Sequence, residues 1–140
     1  MVRSIRGITA GGLVVFLAGV ARDLQWHATH NTRQQFETAS KQVEVHWLLW
    51  LGVVLLLLGC WLALTRGTAA GAKRGYQLTA ASGAVYAVVS VWHFVEHANG
   101  HDPQLAHAFL YAAAGGLVAG ALMALVRSRM APLARSRRAT

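Results

Sequence analysis

The stretch VHWLLWLGVVLLLLGCWLAL, from Val45 to Leu64, decides the fold of this chain. It contains no Asp, Glu, Lys or Arg, and an α-helix needs about 20 predominantly apolar residues to cross the hydrocarbon core of a bilayer. A soluble domain rarely contains such a run, because about a quarter of its residues are charged. The stretch therefore predicts a transmembrane helix.

Three further apolar runs of similar length indicate that the chain crosses the membrane four times. Of its 140 residues, 55% are hydrophobic and only 13% are charged. No Pro/Ser-rich linker divides the chain, so we expect one all-α domain of residues 1–140, an integral membrane four-helix bundle with up-down topology. The predicted spans cover about residues 8–26, 45–64, 78–97 and 105–126, and a basic tail follows at residues 127–140.

Glycine and other turn residues mark the predicted breaks between the spans. The residues expected in these breaks are Gly67, Gly71 and Gly75 after the second span, and Asn99 and Gly100 after the third. Asp102 and Pro103 match an N-cap followed by a proline at the first helical position, where the missing N–H costs nothing. We therefore expect the fourth helix to begin near Pro103.

Glycines within the spans favour close approach of the helices. A small-x-x-x-small pair and two pairs with seven-residue spacing occur, namely Gly116 with Gly120, Gly12 with Gly19, and Gly52 with Gly59. Such glycines serve either packing within a bundle or dimerisation. The sequence leaves both roles open.

The distribution of basic residues predicts the orientation of the spans, because Lys and Arg are enriched in cytoplasmic loops. One side carries Arg3, Arg6, Arg66, Lys73, Arg74, Arg127, Arg129, Arg135, Arg137 and Arg138. The other side carries only Arg22, Arg33 and Lys41. Both termini are therefore expected in the cytoplasm, in a multi-pass protein of the plasma (inner) membrane. A cleaved signal peptide ending near Gly19 and Ala21 is the alternative for the first span.

The net charge of +8 is interpreted as a consequence of this topology. Its basic residues sit at the ends of apolar runs and not on an aromatic-interleaved face, so no nucleic-acid partner is expected. The expected partners are the lipid bilayer and either further copies of the chain or a larger membrane complex.

All seven histidines fall in segments that an up-down bundle brings to one face of the membrane, the extracytoplasmic one. They are His27, His30, His46, His93, His97, His101 and His107. The inner loops, by contrast, use Arg and Lys freely and contain no histidine. This placement predicts a site built from histidine.

Helical spacing selects the candidate ligands within this set. Asp23 with His27, and His93 with His97, are four residues apart and therefore share a helix face. Neutral imidazole offers a lone pair without burying a permanent charge, and a carboxylate can orient it or bind directly. The predicted ligands of a mononuclear or dinuclear metal site are Asp23, His27, His46, His93, Glu96, His97 and His107.

The donor chemistry limits the ion and leaves several functions open. A histidine-dominated site suits iron, zinc or copper(II), whereas calcium and magnesium prefer oxygen ligands. Such a site is expected to be a redox or hydrolytic centre. One alternative is a b-type haem electron-transfer protein, with His27 or His46 opposite His93 or His97 as axial ligands. The other is a non-catalytic accessory subunit of a membrane complex.

The motif HFVEH, from His93 to His97, resembles the first histidine box of membrane desaturases and hydroxylases, whose di-metal centres oxidise lipids. The resemblance covers these five residues only. The paired H-x-x-H-H boxes of that family do not occur in this chain. We therefore do not predict the activity of that family for this chain.

Overall fold

The computed structural model describes residues 2–29, 39–101 and 104–136, and these residues form four α-helices. The helices are α1 (Val2–Thr29), α2 (Ala39–Arg66), α3 (Ala70–Ala98) and α4 (Gln104–Ser136). Each is long and apolar enough, by length and composition, to cross a membrane. The prediction of an all-α chain with four membrane-length helices is confirmed.

The helices extend beyond the predicted spans, and two predicted turn residues lie inside a helix. Helix α3 begins at Ala70, so the assignment of Gly71 and Gly75 to a break is wrong. Gly75 serves packing, since a Cβ there would lie 2.5 Å from the backbone N of Ala124 in α4. Helix α4 continues to Ser136, so most of the predicted tail is helical. The predicted cap residues Asp102 and Pro103 lie outside the described residues.

Glycine contacts bring α1 and α2 together in antiparallel directions. A Cβ on Gly12 would lie 2.9 Å from the backbone N of Leu56, and one on Gly19 would lie 2.6 Å from that of Leu49. As the chain advances along α1 it therefore meets earlier residues of α2. Small residues at such positions let two backbones approach closely, which is the main source of helix association where lipid removes the hydrophobic driving force.

Glycine contacts also bring α3 and α4 close together. A Cβ on Gly120 would lie 2.7 Å from the backbone N of Thr79, and one on Gly116 would overlap the Ser82 hydroxyl. Between α2 and α3, Gly83 faces Leu57 and the ring of His93 contacts that of His46, so this pair is also antiparallel. The helices thus form an up-down bundle, and the glycines singled out by their spacing pack within the chain.

The turn after α3 is a Schellman motif centred on Gly100. The backbone N–H of Gly100 donates to His97 O at 3.0 Å, and that of His101 donates to Glu96 O at 2.9 Å. Gly100 has φ of +78°, a conformation that glycine adopts at little cost. This turn ends α3 directly after His97 and returns the chain toward α4.

Apolar side chains fill the bundle and also cover its outside. Two buried clusters lie along the axis, one around Phe16, Leu56 and Leu117, the other around Tyr76 and Cys60. Large apolar side chains nevertheless face outward. A soluble monomer rarely exposes so much contiguous apolar surface, whereas a lipid-facing surface requires it.

Candidate metal centre

Six of the seven predicted ligands meet at one end of the bundle. Asp23 and His27 lie near the end of α1, and His46 lies in the early part of α2. His93 and His97 lie in the last turns of α3, and His107 lies in the first turn of α4. The up-down topology therefore brings donors from all four helices to the same end of the bundle.

Three imidazoles from α3 and α4 converge through their Nε2 atoms. His93 Nε2 lies 2.8 Å from His107 Nε2 and 3.1 Å from His97 Nε2. The rings of His97 and His107 have centroids 5.7 Å apart. His93, at the centre, is 8% exposed. We call this set, which offers three nitrogen ligand atoms within 4.8 Å of one another, the histidine triad.

Hydrogen bonding alone satisfies this arrangement poorly. A neutral imidazole nitrogen carries either one N–H or one in-plane lone pair. His93 Nε2 can therefore make one well-directed hydrogen bond, yet it has two Nε2 neighbours within hydrogen-bond distance. The convergence of three such atoms is what a shared cation requires.

A second group of donors comes from α1 and α2. Asp23 Oδ1 lies 3.0 Å from His46 Nε2 and 3.5 Å from His27 Nε2. These three ligand atoms also lie within 4.8 Å of one another. Asp23 Oδ1 is buried and is approached by both of these imidazole nitrogens. We call this group, Asp23, His27 and His46, the carboxylate triad.

The two triads face one cavity of about 100 Å³. Asp23, His27 and His46 line it from one side, and His93 and His107 line it from the other. The rings of His46 and His93 meet edge to face across it, with centroids 6.1 Å apart. The end of the bundle thus contains one cavity with two sets of donors in a largely apolar wall.

Aromatic side chains support the imidazoles. Trp50 stacks on His46 with ring centroids 6.4 Å apart, and Tyr111 stacks on His107 at the same separation. Both pairs have the four-residue spacing that places side chains on one helix face. These contacts restrict the rotation of the two rings and so hold their Nε2 atoms toward the cavity.

Glu96, the seventh predicted ligand, contacts residues outside the two triads. Its Oε1 accepts a hydrogen bond from Trp92 Nε1 at 3.3 Å, and its Oε2 lies 2.8 Å from His101 Nδ1. Glu96 belongs to neither triad. Its position in the last turn of α3, one residue before His97, turns it roughly 100° away from that side chain. His30 lies outside the described residues.

Among the polar and aromatic residues of the cavity wall, sequence reasoning missed Tyr86, Ser90 and Phe94. Tyr86, Ser90, His93 and His97 follow one another at intervals of four, three and four residues. That spacing is the mark of one helix face. Extending the face of His93 by two turns toward the amino end of α3 would have identified Tyr86 and Ser90.

The fold and the donors together define a class: a membrane-compatible four-helix chain with two candidate metal-binding groups. Comparison of the chain with models of known protein families, with curated proteins and with solved structures finds no match in any of the three. The functional argument therefore rests on the chemistry of the two triads.

Proposed function

We propose that this protein binds a transition-metal ion at one end of a membrane-spanning bundle. The observation that carries the proposal is the convergence of three Nε2 atoms, with His93 Nε2 at 2.8 and 3.1 Å from its two neighbours. A cation at their centre takes three lone pairs at once, which no pattern of imidazole hydrogen bonds achieves.

The distances suit a small first-row ion. Metal–nitrogen bonds of about 2.0–2.1 Å in tetrahedral geometry separate the ligand nitrogens by about 3.3 Å. The two Nε2 separations of 2.8 and 3.1 Å in the histidine triad lie within about half an ångström of that value. Imidazole ligands favour zinc, copper(II) or iron over magnesium and calcium.

The cavity favours a bare ion over a haem. Its volume is about 100 Å³, whereas sites for cofactors and other small molecules typically enclose about 300–1,000 Å³. The axial ligation expected from the sequence therefore has less support than ion binding.

A site with three protein ligands leaves a position open, and the cavity adjoins it. Such an ion polarises a bound water or exchanges electrons, according to its identity, so the centre is proposed to be redox or hydrolytic. The protein's own contribution is to fix the three imidazoles. Tyr111 does this for His107 by stacking, and Trp50 does the same for His46 of the carboxylate triad.

The expected metal content provides the direct test. Purified protein is loaded with zinc, freed of excess and measured by elemental analysis, together with the variant His97→Asn. Asparagine is polar but shorter than histidine, so it withdraws one of the three ligand atoms. We expect the zinc affinity of the variant to fall more than about tenfold, since removing a residue that only orients a metal ligand already costs about 10–100-fold.

The matched control is His101→Asn, the same substitution four residues further along the chain. His101 is exposed and pairs with Glu96 outside both triads. The His101→Asn variant should bind as much zinc as the wild type. Equal zinc content in wild type and His97→Asn, or a wild type that takes up no zinc, copper or iron, contradicts the proposed function.

The metal centre is proposed to face the extracytoplasmic side of the plasma membrane, with both termini inside. Support comes from the count of basic residues at the two ends of the helices. Cysteine labelling tests it, because the only native cysteine, Cys60, is buried. In intact cells a membrane-impermeant maleimide should label His101→Cys but reach Ala69→Cys only after permeabilisation. The reverse pattern would invert the proposed orientation.

A further inference from the structure

The carboxylate triad has its own complete set of donors, separate from the histidine triad in both helix origin and chemistry. Asp23 and His27 project from one face of α1, and His46 meets them from α2. The separations of 3.0 and 3.5 Å from Asp23 Oδ1 bracket the value of about 3.3 Å that tetrahedral coordination gives. The geometry of a metal site thus occurs twice.

One ion cannot serve both triads. The two triads come from different helix pairs, α3 with α4 and α1 with α2, and together they hold six donor atoms. A zinc ion bound at about 2.0–2.1 Å takes about four tetrahedral ligands. Six donors divided between the two sides of a cavity exceed that number.

Asp23 supplies the charge that a second cation needs. Two divalent ions in one cavity repel each other, and the repulsion grows as water is excluded. The histidine triad offers only neutral ligands, so the Asp23 carboxylate, which lines the shared cavity, is the one anion available there among the described lining residues. A carboxylate oxygen carries two lone pairs, and the buried Oδ1 of Asp23 lies close to the two imidazole nitrogens that would share the ion with it.

We propose that Asp23, His27 and His46 hold a second transition-metal ion, so that the bundle end contains a two-metal centre facing one cavity. This inference rests on the proposed function, since it assumes that the histidine triad binds the first ion. The cavity of about 100 Å³ admits about three water molecules at roughly 30 Å³ each. A ligand beside the two ions would thus be limited to the size of a few water molecules, and water is an oxygen ligand on which two-metal sites act.

The test counts zinc ions per chain. Detergent-solubilised wild type, Asp23→Asn, His107→Asn and the double variant are dialysed against buffered free zinc and analysed for bound metal. We expect two ions in the wild type, one in each single variant and none in the double variant. Asparagine at position 23 keeps the size of the side chain and removes its charge, so helix content measured by circular dichroism should be unchanged.

A second readout uses copper(II) as the probe. Two copper(II) ions in one cavity couple magnetically. The electron paramagnetic resonance spectrum of the copper-loaded wild type should therefore be broadened or weakened. Asp23→Asn should give the uncoupled spectrum of a single ion. His101→Asn, which changes a histidine outside both triads, should keep two zinc ions and the coupled spectrum.

The outcomes separate failure of this inference from failure of the proposed function. A wild type with one ion, lost in His107→Asn and retained in Asp23→Asn, overturns the second site and leaves the first. One ion lost in either variant indicates a single shared ion and also overturns it. A loss of one ion in His101→Asn assigns the second ion to other ligands. A wild type without metal overturns both proposals.

Discussion

His93→Asn is expected to reduce zinc affinity by more than about 100-fold, the largest loss of any single ligand substitution in this chain. His93 Nε2 is the atom that lies close to both other Nε2 atoms of the histidine triad. Removing an indirect partner of a metal ligand already costs about 10–100-fold, and this substitution removes the central ligand itself. Competition with a zinc-sensitive fluorescent chelator measures the affinity.

The same substitution also tests how far His93 influences the carboxylate triad. Its ring contacts that of His46 at 6.1 Å, so its replacement should weaken the second site by a smaller factor. His101→Asn again serves as the control. Because His93 is buried, thermal unfolding of metal-free protein is recorded for both variants, and helix content should stay at the wild-type level. Wild-type zinc affinity in folded His93→Asn would be incompatible with the histidine triad as a metal site.

Gly52→Ala is expected to destabilise the bundle by about 1–3 kcal/mol, the range found when a well-packed core is overfilled. A Cβ at this position would lie 2.5 Å from Cα of Phe16 and 2.6 Å from its backbone N. Backbone atoms of a helix cannot rotate out of the way as a side chain can. The substitution should therefore force α1 and α2 apart, which lowers the midpoint of thermal unfolding in detergent.

Gly115→Ala is the matched control, because the same methyl group enters open space at a helical glycine. No atom lies within 4 Å of a Cβ at Gly115. Replacing a helical glycine by alanine then gains about 0.5–1 kcal/mol of helix propensity, so the midpoint should stay or rise. Equal effects of the two substitutions would contradict the close contact of α1 with α2. Separating these helices should also weaken zinc binding by Asp23 and His46, which they carry.

Much of the fold follows from local properties of the sequence. Runs such as Val45–Leu64 have too few charges to form anything but a membrane-length or deeply buried helix, and glycines at seven-residue spacing predict where helices touch. The helix ends were less predictable. Gly75 is a helix-breaking residue by propensity, yet it lies within α3 because the backbone of Ala124 occupies the space that a side chain would need.

The sequence by itself determined that the donors gather at one end of the bundle. Because successive helices run in opposite directions, one end of the bundle receives Asp23, His46, His93 and His107. Four-residue spacing determines which pairs share a helix face. These are properties of one helix or of the chain order, and both are visible in the sequence.

Only the tertiary structure decided that these donors form two triads and that Glu96 belongs to neither. Which donors meet depends on the rotation of each helix about its own axis, and this rotation is set by contacts between helices, such as Gly19 on Leu49 and Gly120 on Thr79. A rotation of one residue, about 100°, would exchange His97 for Glu96 in the histidine triad. Spacing within one helix carries no information about that angle, whereas the packing of four helices fixes it.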